Sequence, residues 1–544
     1  MTPPSTPGLE PPLETPEVPL EAATQPAGRR IASAALLIGT GNVTSRVLGL
    51  VREQVIAALF GATGGTSAFR TATRVSTAVY DLLLSGATTA ALVPVFSDYA
   101  ASGETAQLSR IVSTFINFTL LGLGAVVAAL VIGAPLLVTL LGADPAYFDL
   151  AVELTRLALP SILLLGISGI LTATLYARQR FTVPAFTAAI YNVGIIFAAL
   201  TLTRALGIQG LVLGLALGAL LQIIAQLPAL RGLRYQPVLD FGHPGVRLVA
   251  RLYTPVFLGM LASYAVVVID TSLAWRTGTD SVAVMAFATT LIQFPLGLVG
   301  AAASLAILPT LSRLATAELD GSVEIGSFEI TLLRGLKTVV LLIVPLGALL
   351  VVLREPLVAA LFQRLAFDAV ATQRTALAVL AYSPQLPFVV VDQLLIVAYY
   401  ARKQTVTPVV VGVVGVGVYL AAALSLVAPL GMPGLALANA AQNSAHAVIL
   451  YVLLARGFPR LREAAVAWFV ARIGLGGAAA ALAAWLILGG FGDAMAPAAG
   501  LLVRLVAVAV AAAIGLGVYA LVLAVLRVTE LREVVGIAGR LLRR

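Results

Sequence analysis

The chain contains no cysteine and only two histidines, His243 and His446, among its 544 residues. Disulfides, thiolate metal sites and cysteine nucleophiles are therefore excluded, and a multi-histidine metal site is not expected. The sequence also lacks a P-loop, a GxSxG motif and an HExxH motif, so ATP hydrolysis and hydrolytic catalysis are not indicated. These absences favour a protein that is not an enzyme and holds no organic cofactor.

Charged residues are equally scarce, at 11% of the chain, whereas 60% of residues are hydrophobic. Soluble domains carry about 25% charged residues, so this composition, with a mean hydropathy of +1.01, predicts a polytopic membrane protein in contact with membrane lipids. The net charge of +9 does not indicate a nucleic-acid partner, because the basic residues stand singly or in pairs beside apolar segments. That placement is typical of membrane topology.

Hydropathy predicts an all-α protein with fourteen transmembrane helices. The predicted spans cover residues 31–60, 68–96, 109–141, 149–177, 182–205, 208–230, 248–275, 280–312, 330–362, 370–401, 406–428, 433–455, 465–490 and 498–526.

Arginine and lysine are unevenly divided between the connecting loops. With a cytoplasmic N-terminus, the outer loops contain only Arg204, Arg276, Arg354, Arg364 and Arg374, and the inner loops contain about three times as many basic residues. The positive-inside rule therefore predicts an even number of spans, with both termini in the cytoplasm of a bacterial cell membrane.

Three short motifs recur at offsets close to 220 residues. LVPVFS at 92–97 returns as ILPTLS at 307–312, ARQRFTVP at 177–184 as ARKQTVTP at 401–408, and GIQGLVLG at 207–214 as GMPGLALA at 431–438. Such repetition predicts two six-helix lobes related by a pseudo-two-fold axis along the membrane normal, with substrate bound between them.

The predicted organisation has five parts. A Pro-rich disordered tail at 1–28 precedes an N-terminal lobe at 29–235 and a C-terminal lobe at 236–460. Two further helices at 461–528 and a basic cytoplasmic tail at 529–544 complete the chain.

The first span carries arginines in its interior, Arg46 and Arg52. An arginine facing lipid at the bilayer centre costs about 3 kcal/mol on insertion scales, so these side chains are expected to face a wet cavity. Helical periodicity places Asn42 and Glu53 on the same face. One interpretation is structural, with the arginines paired to Glu53 or to a neighbouring helix. The other is that this face binds an anionic substrate.

The ionisable residues of later spans differ between the lobes. In the second span Arg74 and Asp81 are seven residues apart and share a helix face, so we predict that both contribute to the substrate site. The C-terminal lobe instead carries Asp270 and Asp392 within spans. We predict a phosphate-bearing group on the arginines, which suit bidentate phosphate contacts, and Na⁺ or a proton as coupling ion on one of the two aspartates. The alternative for each aspartate is a protonated or hydrogen-bonded structural carboxyl.

Several ordered motifs resemble the MurJ (MviN) family of lipid II flippases, in the MOP exporter superfamily. They are SRVLGLVREQVIAALFGA at 45–62, LVPVFSDY at 92–99, RFTVPAFTAAIYN at 180–192, FPLGLVGAAASLAILPTLS at 294–312 and YYARKQTVTP at 399–408. The resemblance implies fourteen spans, a V-shaped pair of six-helix lobes and two last helices that form a groove for a polyprenyl tail. It also implies transfer of undecaprenyl-pyrophosphate-linked peptidoglycan precursor from the inner to the outer leaflet, with Arg46 and Arg52 as cavity arginines.

The chain departs from the family pattern at four positions, Ser67, Tyr80, Ser85 and Thr290, where the family usually has charged residues. Other functions therefore stay open: a flippase for another polyprenyl-linked saccharide, a transport-inactive scaffold for cell-wall synthesis enzymes, or a drug or cation exporter.

Overall fold

The structure is a computed structural model that describes residues 20–85, 91–319, 326–492 and 500–532. Within these residues the regular secondary structure is entirely helical. This agrees with the composition, because in a lipid environment a helix satisfies every backbone polar group within one segment.

The helices of the N-terminal half follow the six predicted spans. They are α1 (Leu20–Phe60), α2 (Gly64–Tyr80), α3 (Val93–Ala101), α4 (Thr105–Phe118), α5 (Gly124–Ile132), α6 (Ala134–Leu140), α7 (Phe148–Ala158), α8 (Ser161–Ala177), α9 (Thr182–Thr201), α10 (Thr203–Leu206) and α11 (Ile208–Gln226). A π-helical turn at Asp81–Ser85 follows α2, and a second π turn at Thr119–Leu123 links α4 to α5.

The C-terminal half is built from longer helices. They are α12 (Pro244–Arg276), α13 (Ser281–Leu319), α14 (Ser327–Phe362), α15 (Ala369–Tyr382), α16 (Leu386–Ala401), α17 (Val406–Leu430) and α18 (Met432–Ala455). The last two helices, α19 (Ala464–Phe491) and α20 (Leu501–Val525), pack against each other and against α14.

Among the described residues, ten segments are long and apolar enough to cross a membrane. The predicted first, second, seventh and twelfth spans are not among these ten. The multi-pass fold is therefore confirmed, and the count of fourteen stays a prediction.

The internal repeat is visible in the backbone itself. Gln179 and Lys403, at matching positions of the ARQRFTVP and ARKQTVTP motifs, both adopt positive φ values, 57° and 60°. Gly207 and Gly431 likewise share an unusual conformation, with φ of 56° and 64°. Because non-glycine residues seldom adopt positive φ, this agreement supports the two-fold repetition of the fold.

The N-terminal end of the chain differs from the predicted boundary. Helix α1 already begins at Leu20, so residues 20–28, predicted as part of the disordered tail, are helical; their Leu-Glu-Ala-Ala start favours a helix. Residues 1–19 and 533–544, which include most of the two predicted tails, lie outside the described residues.

One hydrophobic core joins the two halves. It contains Ile56 and Phe69 of the N-terminal half together with Trp275, Phe287 and Phe367 of the C-terminal half, all nearly inaccessible. This junction fixes α1 and α2, which carry the predicted arginines, against α12 and α13.

Candidate functional site

A buried charge cluster lies at the centre of the N-terminal half. The Glu53 carboxylate is only 2% exposed, and Arg52 donates to it from Nη2 at 2.8 Å. Arg70 on α2 donates to both carboxylate oxygens of Glu53 through its two terminal nitrogens. Two guanidinium groups thus share one carboxylate, which leaves the cluster with a net charge of +1. Buried charges are stable only when paired and hydrogen-bonded, so Glu53 holds both arginines in place.

Neighbouring groups fix the orientation of both guanidiniums. Asn192 on α9 accepts from Arg52 Nη1 at 2.9 Å and donates to the Ser45 carbonyl at 3.1 Å, so one amide ties the arginine to its own helix. The Arg70 guanidinium contacts the rings of Phe69 and Phe287, with Cζ 5.5 and 5.3 Å from their centroids. Such contacts attract a cation to the ring face.

This cluster opens onto a cavity of about 570 Å³ inside the N-terminal half. Arg52, Arg70, Tyr80 and Asp81 line it together with hydroxyl and amide side chains of α2, α8, α9 and α11. Because two arginines and several neutral donors line it against one carboxylate, Asp81, the cavity suits an anionic group.

Arg46 occupies a different place, at the contact between the two halves. Its Nη1 donates to the Gln293 carbonyl on α13 at 3.1 Å, and its guanidinium lies directly against Gly297. A Cβ on Gly297 would be 1.8 Å from Arg46 Cζ. The side chain is exposed, and no carboxylate among the described residues pairs with it. Its charge therefore stays available to an anion.

The structure thus separates the two arginines that the sequence grouped together. Arg52 faces the cavity and is paired as the structural interpretation proposed, whereas Arg46 bridges the halves without a carboxylate partner. Asn42 is exposed and makes no side-chain hydrogen bond within the described part of the chain.

The second-span residues contact the C-terminal half. Arg74 Nη1 lies 3.5 Å from Asp270 Oδ2 on α12 and also donates to the hydroxyl of Thr271. Asp81 accepts a hydrogen bond from the hydroxyl of Tyr264, which also lies on α12, at 2.7 Å. Both predicted residues therefore face α12, in agreement with their shared helix face.

Asp270 is engaged through both of its carboxylate oxygens. Its Oδ2 faces Arg74 and its Oδ1 accepts from the Tyr419 hydroxyl at 2.8 Å. The sequence placed the arginines and the aspartate in separate lobes, and only the fold shows that α2 and α12 meet. Asp270 is thus one half of an ion pair between the lobes.

Asp392 on α16 pairs with a residue that the sequence did not single out. His446 Nδ1 on α18 lies 2.6 Å from Asp392 Oδ1, and the two side chains are 15% and 19% exposed. Their spacing of 54 residues gives no motif that could have been recognised.

The positions that depart from the family pattern have local roles. Ser67 Oγ accepts from the Ala283 amide at 3.1 Å across the junction of the halves, and Thr290 donates to the Ala286 carbonyl of its own helix. Tyr80 lines the cavity. The side chain of Ser85 lies outside the described part of the chain.

A second, largely apolar cavity of about 760 Å³ lies between α14, α16, α18 and α19. Val340, Val344, Phe388 and Val470 are among its lining residues, with Lys337 and Arg462 the only basic side chains that line it. Glu463 lines it as well. An apolar cavity of this kind suits the hydrocarbon chain of a lipid.

Known proteins match the chain in sequence and in structure. The family model "Lipid II flippase MurJ" matches residues 56–524. A probable lipid II flippase MurJ of Vibrio cholerae is 31% identical over 469 residues, which are 83% of this chain and 88% of that protein. The lipid II flippase MurJ of Burkholderia cenocepacia is 29% identical over 473 residues, covering 83% and 89%.

Two solved structures share the fold. A lipid II flippase MurJ in an inward closed conformation aligns with a TM-score of 0.69 at 21% identity, covering 89% of this chain and 98% of the other. An inward-facing MATE family multidrug transporter of the MOP superfamily aligns with a TM-score of 0.66 at 14% identity, covering 77% and 95%.

The family match over most of the chain, the identity to curated relatives and the shared fold agree with one another. This chain belongs to the MurJ family of lipid II flippases.

Proposed function

We propose that this chain moves lipid II, an undecaprenyl-pyrophosphate-linked peptidoglycan precursor, from the inner to the outer leaflet by alternating access. The observation that carries this proposal is the excess of positive charge on α1. Arg46 has no carboxylate partner among the described residues, and Arg52 shares its only carboxylate with Arg70. Uncompensated guanidiniums in a membrane protein are costly unless an anion uses them.

The pyrophosphate of the substrate supplies that anion. Arg46 and Arg52 are six residues apart on α1, about 9 Å along the helix axis, and they offer the headgroup two separate contacts, Arg52 in the cavity and Arg46 at the contact between the halves. Asn42, Glu53, Arg74 and Asp81 position these cations or contact the polar headgroup. The apolar groove beside α19 accommodates part of the polyprenyl chain, because its lining is predominantly aliphatic and aromatic.

Both termini lie in the cytoplasm in this proposal, because the inner loops then carry most of the basic residues. Exchange of Na⁺ or a proton at Asp270 or Asp392 drives the return of the empty protein. Cell-wall synthesis enzymes are expected partners, since they consume the translocated lipid.

Complementation tests the proposal. The wild-type chain should sustain growth of a strain depleted of its own lipid II flippase, whereas Arg46→Ala and Arg52→Ala should not. Arg110→Ala is the matched control, because Arg110 pairs with Asp240 at the surface and lies outside both cavities. Arg46→Lys keeps the charge but loses the bidentate geometry, and we expect it to rescue growth only partly.

Failure of a well-expressed wild-type chain to rescue growth would contradict the lipid II assignment. Equal rescue by the wild type and both alanine variants would instead contradict the proposed role of the arginines.

A further inference from the structure

The Asp392–His446 pair is the least expected feature of the C-terminal half. It joins three helices, because His446 on α18 contacts Asp392 on α16 through Nδ1 and the Pro408 carbonyl on α17 through Nε2, at 2.6 and 3.2 Å. The chain has one other histidine, His243, which accepts from the Gly245 amide at the start of α12.

The donors and acceptors of this arrangement determine how many protons it holds. A backbone carbonyl can only accept a hydrogen bond, so the contact with Pro408 requires a proton on Nε2 of His446. An unprotonated Nδ1 and an ionised carboxylate oxygen are both acceptors, and two acceptors at 2.6 Å repel each other. A second proton must therefore lie between Nδ1 and Asp392 Oδ1, whichever of the two atoms it is bonded to.

Both placements of the shared proton give a pair with no net charge. Either an imidazolium faces a carboxylate, or a neutral imidazole accepts from a carboxylic acid. Loss of one proton leaves one negative charge within a membrane span, which is costly. It also leaves His446 with one proton for two acceptors, so either its bond to Asp392 on α16 or its bond to Pro408 on α17 is lost. Protonation and the packing of these helices are thus coupled.

From this geometry we propose that Asp392 and His446 together form a proton-binding site, that the site is loaded in the present conformation, and that it releases its proton during the transport cycle. The inference rests on the proposed transport function, and it identifies both the coupling ion and the aspartate that binds it.

The surroundings favour a proton over a metal cation at this place. Hard cations take several oxygen ligands, whereas an imidazole nitrogen already occupies one carboxylate oxygen of Asp392. In the described residues there is also no group of three or more acidic or histidine side chains that could hold a metal ion. Asp270 is the weaker candidate, because Arg74 and Tyr419 engage both of its oxygens.

Other titratable groups on the adjoining helices are engaged elsewhere. Asp270 on α12 and Tyr419 on α17 bond to each other, and Tyr382 on α15 lies near Asp270. Tyr399 on α16 and Tyr451 on α18 donate to main-chain carbonyls. Within the described part of the chain, no hydrogen bond or ion pair connects Asp392 or His446 to a charged side chain of the adjoining helices α13, α14 and α15. The charged residues of these helices are Arg313, Glu318, Glu329, Arg334, Lys337, Arg354, Glu355 and Arg374.

Nitrogen NMR of ring-labelled histidine tests the loaded state without any transport assay. In His243→Gln protein His446 is the only histidine, so its two ring nitrogens can be observed directly at pH 7.5. We expect both ring nitrogens to show a protonated or proton-sharing signal, because a neutral imidazole with its only proton on Nδ1 would leave Nε2 a plain acceptor. In Asp392→Asn protein Nδ1 should become a plain acceptor in about nine of ten molecules, because an ordinary histidine has a pKa of about 6.5. A plain acceptor signal in the presence of Asp392 would overturn the proposal.

Release is tested with a pH-indicator dye in weakly buffered detergent solution. Saturating lipid II should liberate about one proton per wild-type or Asp240→Asn protein, because Asp240 pairs with Arg110 outside both cavities. It should liberate none from Asp392→Asn or His446→Gln protein. Lipid II binding without proton release by the wild type would overturn the proposal. Absence of lipid II binding would contradict the proposed function instead, and the NMR result would stand by itself.

Discussion

Gly297→Ala tests whether Arg46 holds the two halves together. The Cβ of an alanine would be 1.8 Å from Arg46 Cζ and about 2 Å from both terminal nitrogens. Because the obstructed group is the end of a flexible side chain, the guanidinium can move away without a backbone shift. The main loss is then its hydrogen bond to the Gln293 carbonyl at 3.1 Å.

The expected magnitude follows from the exposure of this hydrogen bond. Exposed hydrogen bonds contribute about 0.5–1.5 kcal/mol net, which corresponds to a roughly 2- to 13-fold shift away from the present arrangement of the halves. Because the chain has no cysteine, nitroxide labels can be placed at cysteines introduced for Val43 on α1 and Leu298 on α13, which are 57% and 58% exposed. Dipolar broadening in electron paramagnetic resonance spectra then reports the population in which the labels are close.

Two controls make the test specific. Gly417→Ala adds a methyl group to a helix at a site where a Cβ meets no atom within 4 Å, and it should leave the spectra unchanged. In an Arg46→Ala background, Gly297→Ala should add no further shift, because the group that it displaces is already absent. Unchanged spectra for Gly297→Ala alone, or an equal shift in both backgrounds, would refute the reasoning.

Two further predictions concern charges outside this contact. Glu53→Gln should destabilise the protein by about 3–5 kcal/mol, because it leaves Arg70 buried without a carboxylate. In thermal unfolding, the double variant Glu53→Gln/Arg70→Met should regain part of the stability that Glu53→Gln loses. If it regains none, Glu53 does not act by compensating the charge of Arg70. Burial raises the pKa of Glu530, but the hydrogen bond and charge of Lys337 outweigh it and hold this pKa below its ordinary value of 4.5. A carboxyl whose pKa is lower in the folded than in the unfolded state stabilises the fold at pH values above the unfolded pKa, and this stabilisation is lost as the pH falls through the folded pKa. Protection of residues 526–532 from hydrogen exchange should therefore decrease below about pH 4.5 in the wild type. Glu530→Gln should be less protected than the wild type at neutral pH and should show no such change on acidification.

Hydropathy and motif repetition were sufficient for much of the fold. The predicted span at 465–490 and the repeat between Gly207 and Gly431 depend on local sequence alone, since lipid requires each helix to satisfy its own backbone groups. The structure shows the corresponding helix and the matching backbone conformations.

Contacts between distant helices could not be predicted in the same way. Pairing of Arg74 with Asp270 spans 196 residues, and pairing of Asp392 with His446 depends on how α16 packs against α18. A single sequence predicts which face of each helix is polar, but it does not predict which other helix packs against that face. For the same reason, Arg46 and Arg52 were placed together from helical periodicity, whereas in the structure Arg52 faces the cavity of the N-terminal half and Arg46 contacts α13.

Reconstitution tests the central claim most directly. In liposomes that contain lipid II and purified protein, the wild type and Arg110→Ala should increase the fraction of lipid II that crosses the bilayer, and Arg46→Ala and Arg52→Ala should abolish this increase. Equal translocation by all four proteins would contradict the account, because the guanidiniums of α1 would then have no part in moving the pyrophosphate.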